Sequence, residues 1–382
     1  MMAGLGFHPR ELDSRVLWCG ALLLCLGLVM VASASVAVAD RHTGEALYYF
    51  YRQAVYAGIG LAAAAWLLMI PMSVWEHSSF ALLALALLLL AVVLFPGVGR
   101  EVNGARRWIN LGLFQLQASE PARLALLMYL AAYAVRRSEE LRASWTGLAK
   151  PMLPLAAAVG LLLLEPDFGA AVVLSAVAFM LLFIAGARLR DLALLGGASA
   201  AAFAALLYSA PYRVERLLSF RDPWAHAFDG GFQLTQSLIA IGRGQWFGVG
   251  LGNSVQKLLY LPETHTDFIF AIYAEELGLF GVLLLLGLLG SLLYAGCRIA
   301  ARALEQQQFF GGYLAYALSY WLALQALLNI GVNMGVLPTK GLPLPLMSYG
   351  GSSMVICCVS LALILRVGLE AGRSEARTGG ST

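Results

Sequence analysis

The sequence predicts an all-α, polytopic integral membrane protein. Of its 382 residues, 60% are hydrophobic and only 12% are charged, a balance more apolar than that of soluble domains. Apolar runs recur along the whole chain at lengths that cross a hydrocarbon core of about 30 Å as helices of roughly 17–25 residues. Polar segments separate these runs, so we expect about ten transmembrane helices joined by long outer loops.

Each predicted span corresponds to one apolar run. The spans cover 16–38, 51–71, 80–96, 121–135, 151–164, 168–186, 191–209, 276–297, 311–330 and 349–366. The shorter runs require helices that extend into the neighbouring polar sequence. An even number of spans puts both termini on one side, which predicts an N-terminal tail over 1–15, a membrane domain over 16–366 and a C-terminal tail over 367–382.

Basic residues indicate the orientation of the spans. Most of those between spans fall on the face of the two termini: Arg10, Arg15, Arg136, Arg137, Arg142, Lys150, Arg188, Arg190, Arg298, Arg302, Arg366, Arg373 and Arg377. The positive-inside rule makes that face cytoplasmic. We therefore expect outer, periplasmic loops near 97–120, 210–275 and 331–348. The first apolar run lacks the cleavage pattern of a signal peptide, and the net charge of +3 gives no reason to expect a nucleic-acid partner.

Cysteine and histidine give no sign of a metal centre. The five cysteines lie in or beside apolar spans, and no C-x-x-C spacing occurs. The five histidines are scattered along the chain. Neither a disulfide framework nor a site built from His and Cys ligands is predicted.

The first outer loop places Arg106 and Arg107 against the positive-inside trend, beside Trp108. A loop that contacts lipid headgroups is one interpretation, since tryptophan is enriched at membrane interfaces. An anionic ligand is the other, because guanidinium groups match phosphate oxygens in geometry. The sequence leaves both interpretations open.

Two further acidic motifs interrupt apolar sequence. In "SEPAR", Ser119 is placed to cap a helix, while Glu120 and Arg123 lie one helical turn apart and could pair with each other. In "EPDFG", Glu165 and Asp167 lie at a tight outer turn, where an aspartate often bonds its own backbone. Ionisable residues at membrane depth are costly and usually functional, so ligand binding remains the alternative for both motifs.

The last outer loop, "PTKGLPLPLMSYGGSS", carries Lys340 and Ser348 among prolines and glycines. Non-helical backbone near membrane depth is tolerated only where protein or a watery cavity satisfies its polar groups. We expect this segment to line a cavity.

The segment "LPETHTDFIF" gathers Glu263, His265 and Asp267 before an apolar run. Thr264 and Asp267 fit a capping box, in which Asp267 would only hold a helix start. Alternatively, Asp267 is a general base that stays ionised because a helix N-terminus stabilises negative charge.

Taken together, "GARRWINLG", "SEPARL", "EPDFG", "RLLSFRDPW", "LPETHTDFIFAIYAEELG" and "PTKGLPLPLMSYGGSS" resemble the SEDS family of bacterial cell-wall polymerases. The motifs occur in the family's order over nearly the whole chain. "GLVMVASAS" in the first span and "PTKGLPLP" in the last outer loop are more similar to the division branch of the family than to its elongation branch.

The resemblance implies a peptidoglycan glycosyltransferase that joins lipid II units at the outer face of the cytoplasmic membrane, at the division septum. It implies that Asp267, in the "HTDF" motif, is essential. It also implies ten transmembrane helices, a class B penicillin-binding transpeptidase and other division proteins as partners, and stimulation by a divalent cation such as Mg²⁺ or Mn²⁺. Leu259 stands where certain members of the family carry an acid, so no essential acid is expected there.

The chemistry of such a transfer suits these residues. A sugar on a polyprenyl pyrophosphate has a good leaving group, whose departing charge needs cations, whereas the acceptor hydroxyl needs a base. We expect Asp267 to be the base of a single inverting displacement, by analogy with inverting glycosidases. Candidate pyrophosphate contacts are Arg106, Arg107, Arg123 and Lys340; further candidate substrate-binding residues are Glu120, Glu263, His265 and Ser348.

Two other functions fit parts of the same pattern. A lipid II flippase would also have ten spans with buried charges, but it predicts polar residues through the full depth and paired broken helices. We find no internal repeat in the sequence. A non-catalytic scaffold would leave the carboxylates without a role.

Overall fold

The computed structural model describes residues 11–102, 105–110, 112, 115–208, 219–258, 260–338 and 341–379. The described residues form long helices joined mostly by short turns. These helices are α1 (Ser14–Thr43), α2 (Tyr48–Leu67), α3 (Met72–Val93), α4 (Ser119–Arg136), α5 (Ser138–Ala143), α6 (Trp145–Leu164), α7 (Phe168–Ile184), α8 (Leu189–Tyr208), α9 (Phe232–Gly244), α10 (Ile269–Glu305), α11 (Phe309–Asn333) and α12 (Gly351–Gly379).

Each predicted span overlaps one long helix, which confirms the helical membrane class. Seven of the described helices are long and apolar enough to cross a membrane, namely α1, α3, α6, α8, α10, α11 and α12, and α7 is a shorter apolar helix. The other two, α2 and α4, carry charged residues within their first two turns, Arg52 in α2 and Glu120 and Arg123 in α4.

The centre of the molecule is built around α4 and α11. In α4, Leu126, Leu130 and Ala134 have no exposed surface, and in α11 the large side chain of Trp321 is 1% exposed. These two helices bury residues on most of their sides because other helices surround them. By contrast, α8 packs mainly against α6 and α7 and exposes most of its surface, which places it at the periphery.

A small antiparallel sheet replaces part of the predicted loop 97–120. Its strands are β1 (Gly99–Val102), β2 (Ala105–Asn110) and β3 (Gln115–Gln117), paired in the order β1-β2-β3. The backbone amide of Gln117 donates a hydrogen bond to Ser352 Oγ at 3.1 Å, which ties the sheet to the start of α12. The register of β1 and β2 shifts between Arg100 and Glu101, which pair with Trp108 and Arg106, so Arg107 is an extra residue of β2 at a bulge.

One end of the molecule is held by ion pairs between segments that are distant in sequence. Arg298 pairs with Asp13 at 2.5 Å, and Arg373 pairs with Glu11 at 2.8 Å. The residues before α1, the end of α10 and the extension of α12 therefore meet at this end. Arg298 and Arg373, two of the basic residues predicted on one face, both lie at this end.

Helix α10 is broken near its start. Gly278 has φ 64° and ψ −164°, outside helical values, so residues 269–277 form a separate half-helix. The predicted span began at 276, and no broken helix was predicted. Glycine permits this backbone conformation because it has no Cβ.

Candidate active site

Asp267 lies in the turn that leads into the half-helix. The residue at the N-cap is Phe268, which makes no side-chain capping bond. Thr264, the expected capping residue, instead donates its hydroxyl to the carbonyl of Ala34 in α1 at 3.0 Å. The capping-box interpretation of Asp267 is therefore wrong, because tertiary contacts take the threonine that the box requires.

Two asparagines of α11 fix the backbone at Asp267. Asn329 and Asn333 donate side-chain N–H groups to the Asp267 carbonyl at 2.9 and 3.0 Å. Asn333 also accepts a hydrogen bond from the amide of Ala271 at 3.2 Å. Neither Asn329 nor Asn333 was predicted from the sequence. Their signal was two amide side chains four residues apart, on one face of an apolar helix.

The Asp267 carboxylate is partly exposed and faces the last loop. A Cβ built on Gly341 would lie 2.7 Å from Asp267 Oδ2, so the loop approaches the carboxylate closely. Burial and then Glu263 and Asp167 raise the pKa of Asp267 to about 7, and Arg107 opposes them. The expectation that the helix N-terminus keeps Asp267 fully ionised is wrong, because desolvation and neighbouring acids outweigh the helix dipole.

Arg107 is the basic side chain that approaches this carboxylate cluster from the sheet. Its guanidinium lies 4.0 Å from Asp167 Oδ1 and donates to the carbonyl of Pro166 at 3.5 Å. Asp167 also accepts from the amide of Ala170 at 3.1 Å, as expected for a turn aspartate, and from Gln117 Nε2 at 3.4 Å. Arg107, Asp167 and Asp267 thus belong to one electrostatic cluster, which we call the Asp267 cluster.

Glu165 lies beside this cluster and has no exposed surface. Neither of its carboxylate oxygens has a hydrogen-bond partner among the described residues. Burial, followed by the charge of Asp167, raises the pKa of Glu165 to about 8, against the opposite effect of Arg107. At neutral pH this side chain is mostly a neutral acid, because an isolated buried carboxylate is costly.

Glu120 and Arg123 lie inside the helical core. Arg123 Nη2 donates to Glu120 at 2.5 Å and Nη1 donates to Gln325 at 3.1 Å. The guanidinium also stacks over the ring of Trp321, with 5.2 Å to the centroid. Both charged side chains are almost fully buried, so the geometry favours the intrahelical ion pair over contact with a ligand. Ser119 does not cap α4; it lies inside the helix, and its hydroxyl has no hydrogen-bond partner among the described residues.

Arg106 has a different partner from Arg107. It pairs with Glu101 at 3.1 Å, and both side chains are about half-exposed. Cross-strand pairing of β1 and β2 places these two residues opposite each other. The structure thus separates the two arginines that the sequence analysis treated as one pair.

The last loop contributes structure around Asp267. Ser348 Oγ donates to the carbonyl of Thr266 at 2.6 Å and accepts from the amide of Leu344 at 2.7 Å. Asn329 and Gln325 donate to the carbonyls of Leu342 and Pro343. Protein side chains thus satisfy part of this irregular backbone, and Pro345 and Leu346 line a small cavity between helices. Lys340 lies outside the described residues.

His265 belongs to an aromatic cluster beside the site. Its ring centroid lies 4.5 Å from that of Tyr49 and 5.5 Å from that of Tyr349. Burial lowers the pKa of His265, which favours the neutral imidazole. Glu263 is exposed and accepts a hydrogen bond from Thr266 at 2.6 Å.

Arg52 is a cation near the aromatic cluster of His265, Tyr49 and Tyr349. It was not predicted from the sequence. It donates to the hydroxyls of Tyr48 and Tyr56 at 3.0 and 2.6 Å, and its charge acts on Tyr349. Among the described residues no carboxylate pairs with Arg52. Its signal was an arginine in the first turns of a predicted span, where a charge is costly unless it serves a ligand.

The described residues do not include three His, Cys, Asp or Glu side chains placed to hold a metal ion.

Comparison with known proteins identifies the family. The family model for FtsW, RodA and SpoVE, described as cell cycle protein, matches residues 14–372. A probable peptidoglycan glycosyltransferase FtsW from Thioalkalivibrio sulfidiphilus is 56% identical over 348 residues, which cover 91% of this chain and 87% of that protein. The protein of the same name from Hahella chejuensis is 50% identical and covers 98% of this chain and 94% of its own length.

Solved structures agree with this assignment. RodA, the rod shape determining protein of Thermus thermophilus, superimposes with a TM-score of 0.69 at 33% identity, covering 94% of this chain and 96% of RodA. A chain from a structure on the coordination of polymerization and crosslinking by a peptidoglycan synthase complex gives a TM-score of 0.78 at 32% identity, covering 94% and 98%. This chain therefore belongs to the FtsW/RodA/SpoVE family of cell cycle proteins, the SEDS family whose motifs its sequence carries.

Proposed function

We propose that this protein is a peptidoglycan glycosyltransferase that polymerises lipid II at the outer face of the cytoplasmic membrane during cell division. The names of its relatives support this activity. The observation that carries the proposal is the Asp267 carboxylate, partly exposed on a rigidly held backbone. Its pKa of about 7 is close to the value at which a general base works best at neutral pH.

In the proposed reaction, Asp267 removes the proton from the acceptor hydroxyl while that oxygen attacks the anomeric carbon of the donor sugar. The bond from this carbon to the pyrophosphate oxygen breaks, and the undecaprenyl-type pyrophosphate leaves with its negative charge. Arg107, which belongs to the Asp267 cluster, neutralises that charge. Attack from the face opposite the leaving group inverts the configuration.

Arg52 and Lys340 are further cations that we propose for the pyrophosphate. Arg52 is held by tyrosine hydroxyls rather than by a carboxylate, so its charge remains available to an anionic ligand. A divalent cation such as Mg²⁺ commonly binds through one or two carboxylates together with substrate phosphates. We propose that any such requirement is met mainly by the substrate's pyrophosphate, which agrees with the described residues.

The same proposal includes a cytoplasmic location for both termini and a class B penicillin-binding transpeptidase as partner. One structural relative comes from work on a peptidoglycan synthase complex that coordinates polymerization and crosslinking, which supports a partner of that class. Lipid II transport is the competing function, and the break in α10 is the feature that favours it. Glycan synthesis in detergent, where there are no leaflets, separates the two functions.

Replacement of the base tests the mechanism. We expect Asp267→Asn to lower the rate of lipid II polymerisation by about 10²–10⁴, with expression and lipid II binding retained. The assay uses labelled lipid II and the purified protein with its partner. Glu263→Gln is the control, because it removes a neighbouring charge without removing the base, and it should cost less. Near-normal polymerisation by folded Asp267→Asn protein would contradict the assignment.

A further inference from the structure

Two consecutive glutamates are buried at the end of the half-helix. Glu275 and Glu276 have no exposed surface and precede the break at Gly278. The half-helix 269–277 is about 13 Å long at 1.5 Å per residue. Asp267 lies just before its other end, so the turn and the half-helix connect the glutamates to Asp267.

The segment before the turn and the half-helix closes the break in α10. Val249 and Gly250 donate their amides to the carbonyls of Glu275 and Glu276 at 3.0 and 3.1 Å. Beyond the break, Leu279 and Phe280 donate to the carbonyls of Gln245 and Trp246. Backbone groups that the break removes from the helix ladder therefore find partners in segment 245–250, as membrane depth requires.

Each glutamate has its own cation and its own serine. Glu276 accepts from Lys257 Nζ at 2.9 Å and from Ser33 Oγ at 2.7 Å, and Lys257 Nζ also donates to Ser33 Oγ at 2.9 Å. Lys257 is only 9% exposed, so this triangle is enclosed. Glu275 pairs with Arg243, which is 44% exposed, and accepts from Ser254.

Helix α1 contacts both the turn and the end of the half-helix through adjacent residues. Ser33 bonds Glu276 at one end, and the carbonyl of Ala34 accepts from Thr264 in the Asp267 turn at 3.0 Å. Ser33 belongs to the "GLVMVASAS" motif of the first span. The triangle thus joins α1, segment 245–258 and the half-helix at one point.

Stability alone does not account for the triangle. Burying two charges costs several kcal/mol per ion, and replacing a buried ion pair with apolar groups is often neutral or stabilising. A buried pair does restrict geometry, because each charge must keep its partner within hydrogen-bond distance. The triangle lies at the end of the half-helix that follows Asp267. A restriction on the geometry of the triangle therefore also restricts the position of the half-helix.

We propose that Lys257, Glu276 and Ser33 are positioning residues, which fix the half-helix so that the Asp267 carboxylate meets the acceptor hydroxyl. This inference rests on the proposed glycosyltransferase function. None of the three residues touches substrate in this assignment. They act through the half-helix and its contact with α1, and a misplacement of about 1 Å at a reacting group can cost about 10² in rate.

The test compares single and double variants in lipid II polymerisation. Lys257→Met leaves Glu276 buried without its cation and should unfold at a lower temperature. Lys257→Met/Glu276→Gln has no unpaired charge, so we expect it to unfold near the wild-type temperature. Its kcat should nevertheless fall about 10- to 100-fold, with KM for lipid II within about twofold of wild type. The kcat of Ser33→Ala should also fall, by a smaller factor.

A pH profile separates positioning from folding. A displaced Asp267 changes its surroundings, which include Glu263, Asp167 and Arg107, so the apparent pKa of kcat should move from the wild-type value in the double variant and in Ser33→Ala. Lys150→Met is the matched control, because it breaks an exposed lysine–glutamate pair at 2.6 Å far from Asp267. That control should keep the wild-type kcat and profile.

Wild-type kcat and pH profile in a stable double variant would overturn the proposal and limit the triangle to folding. Ser33→Ala, which removes one hydroxyl, decides the same point if the double variant does not accumulate. Wild-type protein is assayed alongside. Absence of glycan from the wild type would instead refute the proposed function, so the two failures are distinguishable.

Discussion

Asp267 combines a fixed backbone with a partly exposed carboxylate. Asn329 and Asn333 hold its carbonyl from α11, so the side chain is the part of the residue that can meet a substrate. Its neighbours have opposing effects on the proton, since Glu263 and Asp167 raise the pKa while Arg107 lowers it. The residue is therefore sensitive to small changes in the charges around it.

The pH dependence of polymerisation follows from this environment. Because the pKa of Asp267 is raised to about 7, the base is protonated below pH 7 and inactive. We expect kcat to rise about tenfold per pH unit below 7 and to level off above it. The sign for stability is opposite: ionising a carboxylate whose pKa is raised in the folded protein lowers the free energy of unfolding as pH rises from about 4 to 7. A kcat that does not change with pH between 5.5 and 7.5 would contradict the assignment of Asp267 as the base.

Arg106 and Arg107 form a matched pair for testing the phosphate site. Arg107→Gln should reduce kcat/KM about tenfold or more, because hydrogen bonds to charged groups contribute about 1.5–3 kcal/mol. It should also shift the kcat profile to higher pH, since Arg107 lowers the pKa of Asp267. Arg106→Gln removes the same charge from a residue that pairs with Glu101 rather than with Asp167, and should change little. Equal losses in both variants would argue for a general electrostatic effect.

At the scale of elements, α9 and the segment after it are fitted against the half-helix. A Cβ on Gly244 would lie 2.0 Å from the carbonyl oxygen of Ala274, and one on Gly248 would lie 2.1 Å from that of Glu276. Neither contact is possible for another residue without moving the backbone. These glycines allow segment 245–250 to reach the broken helix and complete its hydrogen bonds.

A comparison of Gly248 with Gly252 distinguishes the effect of close packing from that of backbone strain. Gly248 and Gly252 both have positive φ, at 79° and 83°, but a Cβ on Gly252 would meet nothing within 4 Å. Gly252→Ala should therefore cost only about 1–2 kcal/mol of strain. Gly248→Ala should lower the unfolding temperature in detergent further, because the methyl group displaces segment 245–250 from α10. Similar unfolding temperatures for the two variants would show that the junction tolerates displacement.

At the scale of the whole molecule, the polar groups divide between two ends. Asp267, Arg107 and Asp167 gather at one end. Ion pairs that join the N-terminal residues, α10 and α12 form the other.

Single cysteines test the proposed orientation. Ala225 and Ala143 are both exposed, but they lie on opposite proposed sides of the membrane. We expect Ala225→Cys to react with an impermeant thiol reagent in intact spheroplasts above the background of the parent protein, and Ala143→Cys to react only after lysis. The reverse pattern would invert the topology and place Asp267 in the cytoplasm.

The sequence by itself determined the fold class, the position of each long helix and Asp267 as the central candidate. Apolar runs of membrane-spanning length and ordered motifs are local properties, readable without knowing which helices touch. For the same reason the sequence identified Glu120 and Arg123 as a possible ion pair, because an i, i+3 spacing already places the two charges together on a helix.

Tertiary structure decided which polar residues share a site. Arg106 and Arg107 are adjacent in sequence, yet the strand directs one toward Glu101 and the other toward Asp167. Thr264 does not form the predicted capping box, because its hydroxyl donates to the carbonyl of Ala34 in a distant helix. The break in α10 and the pairing of Lys257 with Glu276 and Ser33 depend on contacts between segments far apart in the chain. Burial and long-range partners set these properties, and no local pattern in the chain encodes them.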